Sequence, residues 1–298
     1  MTRFVFLFAW LSMALRVMAA DPVFQWDATP GAGRVAAFKM WLPGDVQQLD
    51  AMLILVPGHD GDGRGMADDA DWQALARYWH CGIVACKMRG DSYDTASRWS
   101  GNYVMQSLKE FARQSGHAEI EEAPLLFWGH SAGGAYSASF AEWKPDRVIA
   151  YVPNKGTSPI NLDARKLRIP ALWIAAAHDQ YSYIPVDVTN AFVAGRRAGA
   201  PWALAVQPNA GHEVGDTKML GILFFDSVFR CRRLQADGKP VTAWTGDFVT
   251  HEIAAATTAD PRSKLNSWMP DEKFARAWHD VVTGTPLPSL KEQGIFSN

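Results

Sequence analysis

The sequence predicts an α/β fold built on a mostly parallel central sheet with helices on both faces, and three observations carry that prediction. Short apolar runs alternate with helical patterns from about residue 38 to residue 234. Most of the runs are continuously apolar, as strands covered on both faces require, where a half-exposed strand would alternate. The 298 residues are 48% apolar and 20% charged, enough for a sizeable core and unlike a disordered or coiled-coil chain.

Taken in order, the strands are expected over Phe38–Leu42, Met52–Val56, Ile83–Cys86, Leu125–Trp128, Arg147–Val152, Leu172–Ala175 and Ala203–Val206. Between them, Trp72, Leu75, Ala76 and Trp79 recur at i, i+3, i+4 and i+7, which is one face of a helix. Val104, Leu108 and Phe111 share that period, as do Val188, Ala191, Phe192 and Gly195. Ala135–Trp143 is a further helical stretch, and 216–234 is the last long helix, with Leu220, Leu223, Phe224 and Val228 inward. Residues 235–298 change character: Gly, Pro and Thr rise, and Trp244, Trp268 and Trp278 are spread through them. Pro270-Asp271-Glu272 before Phe274, Ala275, Ala277 and Trp278 predicts one short helix. This extension is too short and too apolar-poor for a domain of its own. The expectation is therefore one domain over 21–298, with 235–298 packed on a core of about 38–234.

Residues 1–20 have the build of a signal peptide. Arg3 supplies a positive start, Phe4–Leu15 is a twelve-residue run dominated by apolar residues, and Val17-Met18-Ala19-Ala20 offers small residues for cleavage. The alternative is a buried N-terminal helix, to which Arg16 lends weight. The run is short of the roughly 18 residues that span a bilayer. A secreted or periplasmic protein is expected, with no membrane attachment once the leader is removed. Its charge of −2 excludes the electrostatic footprint of a nucleic-acid binder. Three cysteines allow one disulfide at most. Cys81 and Cys86 flank a strand and stand roughly 16 Å apart, so a bridge would need Cys231; three buried thiols are the alternative.

The sharpest motif is Gly129-His130-Ser131-Ala132-Gly133, followed by Gly134. It comes straight after the strand at 125–128 and opens the helix at 135, the strand–turn–helix setting of a nucleophile elbow. A serine hydroxyl is a weak nucleophile until a neighbouring base takes its proton. His212, in Asn209-Ala210-Gly211-His212-Glu213 after the strand at 203–206, is the expected base. Asp179, past the strand at 172–175, is the carboxylate expected to orient and stabilise its imidazole. The order Ser131, Asp179, His212 differs from the chymotrypsin and subtilisin orders.

With these residues the chain resembles a compact, capless serine esterase of the α/β-hydrolase superfamily, similar to dienelactone-hydrolase-like esterases and polyester depolymerases, over residues 38–234. The resemblance implies an α/β-hydrolase fold without a cap domain. It implies cleavage of carboxylic esters through an acyl-enzyme on Ser131. It also implies an oxyanion hole from the backbone N–H groups of His59, in Pro57-Gly58-His59, and of Ala132. No metal and no organic cofactor is implied. The family usually has Gly three residues before the acid, where this chain has Ala176.

Other candidates carry less. His130 reads as structural, His178 as a competing base that precedes the acid, and Asp187 as a second choice of acid. Asp60, Asp62 and Asp71 fall at calcium-loop positions 1, 3 and 12, but Arg64 stands at position 5 where a ligand is needed. Only Pro153–Ile169, seventeen residues, separates the strand after the elbow helix from the strand before the acid. An open groove roofed by loops follows, with Asn154, Lys155, Tyr181 and Tyr183 expected to line it. Such a groove suits short-acyl or aryl, sugar and polymer-linked esters. A serine peptidase or acyltransferase of the same fold, or a binding protein that has lost catalysis, are the alternatives; the oligomeric state is left open.

Overall fold

The computed structural model describes residues 20–31, 33–159, 162–256 and 265–296. The leader expected over residues 1–20 lies outside the described residues except for Ala20. In chain order the elements of the core are β1 (Val23–Ala28), β2 (Val35–Trp41), β3 (Ala51–Val56), α1 (Ala70–Tyr78), β4 (Cys81–Arg89), α2 (Ser100–Ser115) and β5 (Leu125–His130). Then come α3 (Ala132–Trp143), β6 (Val148–Asn154), β7 (Ala171–Ala176), α4 (Tyr183–Arg197), β8 (Trp202–Gln207) and α5 (Thr217–Ala236). The eight strands form one sheet in the order β1-β2-β4-β3-β5-β6-β7-β8. From β4 to β8 every pairing is parallel, while β2 runs antiparallel to both β1 and β4.

The continuous apolar runs are explained by two cores, one on each face of the sheet. In β3 and β5 successive side chains part company: Ile54 and Phe127 pack on one face with Val104, Phe111, Tyr136, Phe140 and Phe192 from α2, α3 and α4. Leu53, Leu55 and Trp128 pack on the other with Trp72, Leu75, Leu220 and Phe224 from α1 and α5. Each strand residue is thereby buried whichever way it points.

Two features depart from the sequence expectation, and a third settles an open one. Strand β1 was not expected, although Val23–Ala28 alternates exposed and half-buried positions as an edge strand should. Its Trp26 stacks on Phe38 of β2, with ring centroids 5.8 Å apart. Second, the extension carries a small antiparallel sheet as well as a helix. Its strands are β9 (Trp244–Gly246), β10 (Ile253–Ala255) and β11 (Ser267–Met269), in the order β10-β9-β11, and the helix is α6 (Glu272–Thr283). The Asp271 carboxylate caps α6 by accepting from the Phe274 N–H, and Gly284, at φ 81°, ends it. Ser267 Oγ accepts from the Leu204 N–H at 2.9 Å, and Trp278 Nε1 donates to the Leu204 carbonyl at 2.7 Å, so the extension is tied to β8 at the sheet's far edge. Third, of the two readings of the cysteines the structure takes that of three free thiols, two of them buried. Cys231 is half-buried on α5 with its Sγ on the Pro270 carbonyl, which leaves no bridge to Cys81 or Cys86. Among the described residues no helix is long and apolar enough to cross a membrane.

Candidate active site

Strand β5 ends at His130 and α3 starts at Ala132, so Ser131 alone makes the turn between them. It does so at φ 58° and ψ −122°, a positive-φ conformation that L side chains rarely adopt. What holds it there is close packing on every side. The Ser131 N–H donates to the Asn154 carbonyl at 2.9 Å, and the Ser131 carbonyl accepts from the Gly134 and Ala135 N–H groups. A methyl at position 129 would sit 2.0 Å from the Gly133 carbonyl oxygen, and one at position 133 would sit 2.3 Å from that of Val56. Only glycine lets strand and helix approach this closely.

The side chains of three residues meet at this turn. His212 lies in the loop after β8, with its Nε2 2.8 Å from Ser131 Oγ. Its Nδ1 is 2.8 Å from Oδ2 of Asp179, in the loop after β7. The Asp179 side chain is fully buried, and its Oδ1 accepts from the Tyr181 N–H at 2.9 Å. A carboxylate only accepts, so in the neutral ring Nδ1 carries the proton and Nε2 receives the Ser131 O–H. The turn after β3 closes the site, since a methyl built on Gly58 would lie 3.5 Å from Ser131 Cβ. The N–H groups of His59 and of Ala132 have no acceptor among the described residues. Ala132 also begins α3, where the helix dipole favours negative charge.

Among the solved structures that resemble this arrangement of chain are two hydrolases. A ferulic acid esterase superimposes with a TM-score of 0.52 at 13% identity, covering 72% of this chain and 98% of that one. Poly(aspartic acid) hydrolase-1 from Sphingomonas sp. KT-1 gives a TM-score of 0.50 at 15% identity, covering 64% and 93%. The fold is the α/β-hydrolase fold. No protein-family model and no curated protein matches the sequence.

Within this fold the other residues singled out in the sequence fall in varied places. Asp187 is exposed on α4, beside a cavity of about 380 Å³ lined by Thr157, Ser158 and Asn190. His178 is exposed, its N–H on the Ala210 carbonyl. Tyr181 stands at the rim, its ring 4.8 Å from and nearly perpendicular to that of His212, and Tyr183 follows at the start of α4, 62% exposed. Asn154 and Lys155 do not line the groove. Both are fully buried, because the chain leaving β6 runs beneath the elbow and not over it. The Asp60–Asp71 loop spends its carboxylates on cations: Asp62 on Arg64 and Lys87, Asp71 on Lys218.

Gly156 belongs to the site and was missed. A methyl there would lie 1.9 Å from the Ser131 carbonyl oxygen, a contact between two backbones with no flexible side chain to yield. Its only sequence signal is a glycine closely following a buried strand that neighbours the elbow strand. Gly156→Ala is expected to destabilise the fold by about 2 kcal/mol or more and to displace the elbow. Thermal melting and esterase assays check this, with Gly65→Ala, whose methyl would meet nothing within 4 Å, as the unchanged control.

His130, expected to be structural, packs its ring 5.0 Å from that of His212, and its Nδ1 is buried without a partner among the described residues. Burial first, then the neighbouring His212 and Lys155, depress its pKa to about 4, against the opposing pull of Asp179 and Glu213. Between the ordinary value near 6.5 and about 4, the unfolded chain binds a proton that the native chain does not. Stability is therefore expected to fall as pH drops through that window, by about 2 kcal/mol once the ring's partial exposure is discounted. Urea unfolding of wild type and His130→Gln at pH 7 and pH 4.5 measures it; equal losses in both proteins would assign the acid sensitivity elsewhere.

Proposed function

We propose that this chain is an exported serine hydrolase that cleaves carboxylic esters. The observation that carries the reading is the pair of 2.8 Å hydrogen bonds running from Asp179 through His212 to Ser131 at a strained elbow. Ser131 Oγ attacks the ester carbonyl while His212 Nε2 takes its proton. Asp179 stabilises the imidazolium so formed, and the N–H groups of His59 and Ala132 receive the negative oxygen. A donor of this kind is worth about 3 kcal/mol of transition-state stabilisation. The carbon–oxygen bond to the alcohol then breaks as His212 returns the proton to it. Water, deprotonated by His212, releases the acid from Ser131.

The substrate follows from how little covers the serine. The described residues between β6 and β7 hold no regular structure beyond a short 3-10 turn at Lys166–Arg168. Of the two extension tryptophans that could roof the groove, Trp244 packs against the α1/α5 face of the sheet, and Trp268 is half-buried on β11, in the small sheet of the extension. An acyl chain gains roughly 0.8 kcal/mol for each CH₂ removed from water, and an unroofed groove removes few. Short-acyl and aryl-acid esters, including polymer-linked ones, are therefore the proposed substrates, with Tyr181 and Tyr183 flanking them. A fluorophosphonate label that attaches to Ser131 tests the serine mechanism. On p-nitrophenyl esters of two to sixteen carbons, kcat/KM is expected to peak at acetyl to butyryl. A maximum at twelve carbons or more would overturn the open groove, and equal rates on the matching p-nitroanilides would favour a peptidase.

A further inference from the structure

Lys155 is a buried cation that the proton relay does not use. Its side chain is fully buried, and its backbone holds φ 51°, unusual for a residue with a Cβ. Nζ donates to the Glu213 carbonyl, one residue beyond His212, at 2.5 Å. An ammonium without exposure is expensive unless something specific holds it. Here the neighbours on both sides of Lys155 hold the nucleophile. The Asn154 carbonyl accepts from the Ser131 N–H, and Gly156 lies directly against the Ser131 carbonyl. A second tie runs in parallel: Asn154 Nδ2 donates to Thr217 Oγ1 at 2.7 Å, and that hydroxyl donates to the Val214 carbonyl. One tripeptide thus grips the backbone of the nucleophile and, through two side chains, the loop that carries the base.

We infer that Lys155 is a positioning residue for His212, holding the Glu213 carbonyl so that Nε2 stays within reach of Ser131 Oγ. The inference rests on the serine-hydrolase reading only for its kinetic consequences. The distance between nucleophile and base is then set by a single strand end, with Asn154 and Thr217 as the weaker second link. Because Lys155 has no exposed surface, it acts on the chemical step and not on substrate binding.

The test compares wild type, Lys155→Met and Thr217→Val, each checked for folding by circular dichroism. The downfield proton resonance of His212 Nδ1–H, bonded to Asp179, reports the ring's placement directly. In Lys155→Met it is expected to broaden or vanish. Fluorophosphonate labelling of Ser131 and kcat are expected to fall on the order of 100-fold, with KM within two-fold. A role confined to stability would lower the melting temperature and leave the resonance and the labelling rate of the folded protein unchanged, and that result overturns the inference. Should Lys155→Met fail to fold, Thr217→Val cuts the parallel tie, with a labelling loss of about 10-fold expected; no change there overturns it as well. A wild type that fluorophosphonate does not label would refute the serine mechanism, while the resonance would still decide the role of Lys155.

Discussion

Replacing Ser131 by Ala, or His212 by Ala, is expected to lower kcat/KM on an activated ester by about 10⁴-fold or more. Each removes one end of the 2.8 Å bond across which the proton moves, so either change alone should cost nearly as much as both together. Neither should unfold the protein. The Ser131 side chain makes no capping bond to α3, and the elbow is held by its backbone bonds to Asn154, Gly134 and Ala135, which Ala keeps. Ester hydrolysis and thermal melting on the same samples separate the two quantities. Activity within ten-fold of wild type in either variant would remove Ser131 and His212 from the chemistry.

Asp179→Asn is expected to cost about 10⁴-fold in kcat, with a melting temperature close to that of wild type. The carboxylate accepts twice, from the Tyr181 N–H and from His212 Nδ1–H. An amide can keep the first bond with its carbonyl, but it then presents an NH₂ to His212. The imidazole answers by accepting at Nδ1 and carrying its proton on Nε2, where it can no longer receive the Ser131 hydroxyl proton. Asp187→Asn is the matched control, because Asp187 is exposed on α4 while His212 Nδ1 is bonded to Asp179. Loss of activity in the control and not in Asp179→Asn would reverse the assignment of the acid.

How far the sequence could be read depended on whether the information was local. The runs at 52–56, 125–128 and 172–175 are apolar throughout, and a strand buried on two faces has no other way to look. The elbow was legible for the same reason: its glycines are imposed by contacts a few residues apart, Gly129 against Gly133. Strand β1 was equally local, with Phe24 and Trp26 alternating against exposed neighbours, but six residues of edge strand carry only a weak alternating signal. The antiparallel run of β2 was not legible, since strand direction is decided by which strand lies alongside. Lys155 misled most. A lysine in the loop after a strand end reads as lining the open groove, and its burial is decided by the Glu213 carbonyl, distant in sequence. Gly156 belongs with it, because the contact that demands glycine is made with Ser131.

The three members of the relay are not equally secured against local opening. Ser131 hangs between β5 and β6, and Asp179 follows β7, all central strands with no exposed edge. Releasing Ser131 means breaking the ladders that define the native state, which costs the whole free energy of unfolding, while Asp179 stands on a short loop held by the Ala177 N–H on the Gln207 carbonyl of β8 and by its own buried carboxylate. His212 sits instead on the loop from Pro208 to Asp216, whose residues are half-buried or exposed, outside any strand or helix. Such a segment can open alone, at the cost of its own few bonds, while both cores stay closed. Activity and fold are thus expected to be lost by separate transitions, with the half-life of activity on warming governed by the shallower one.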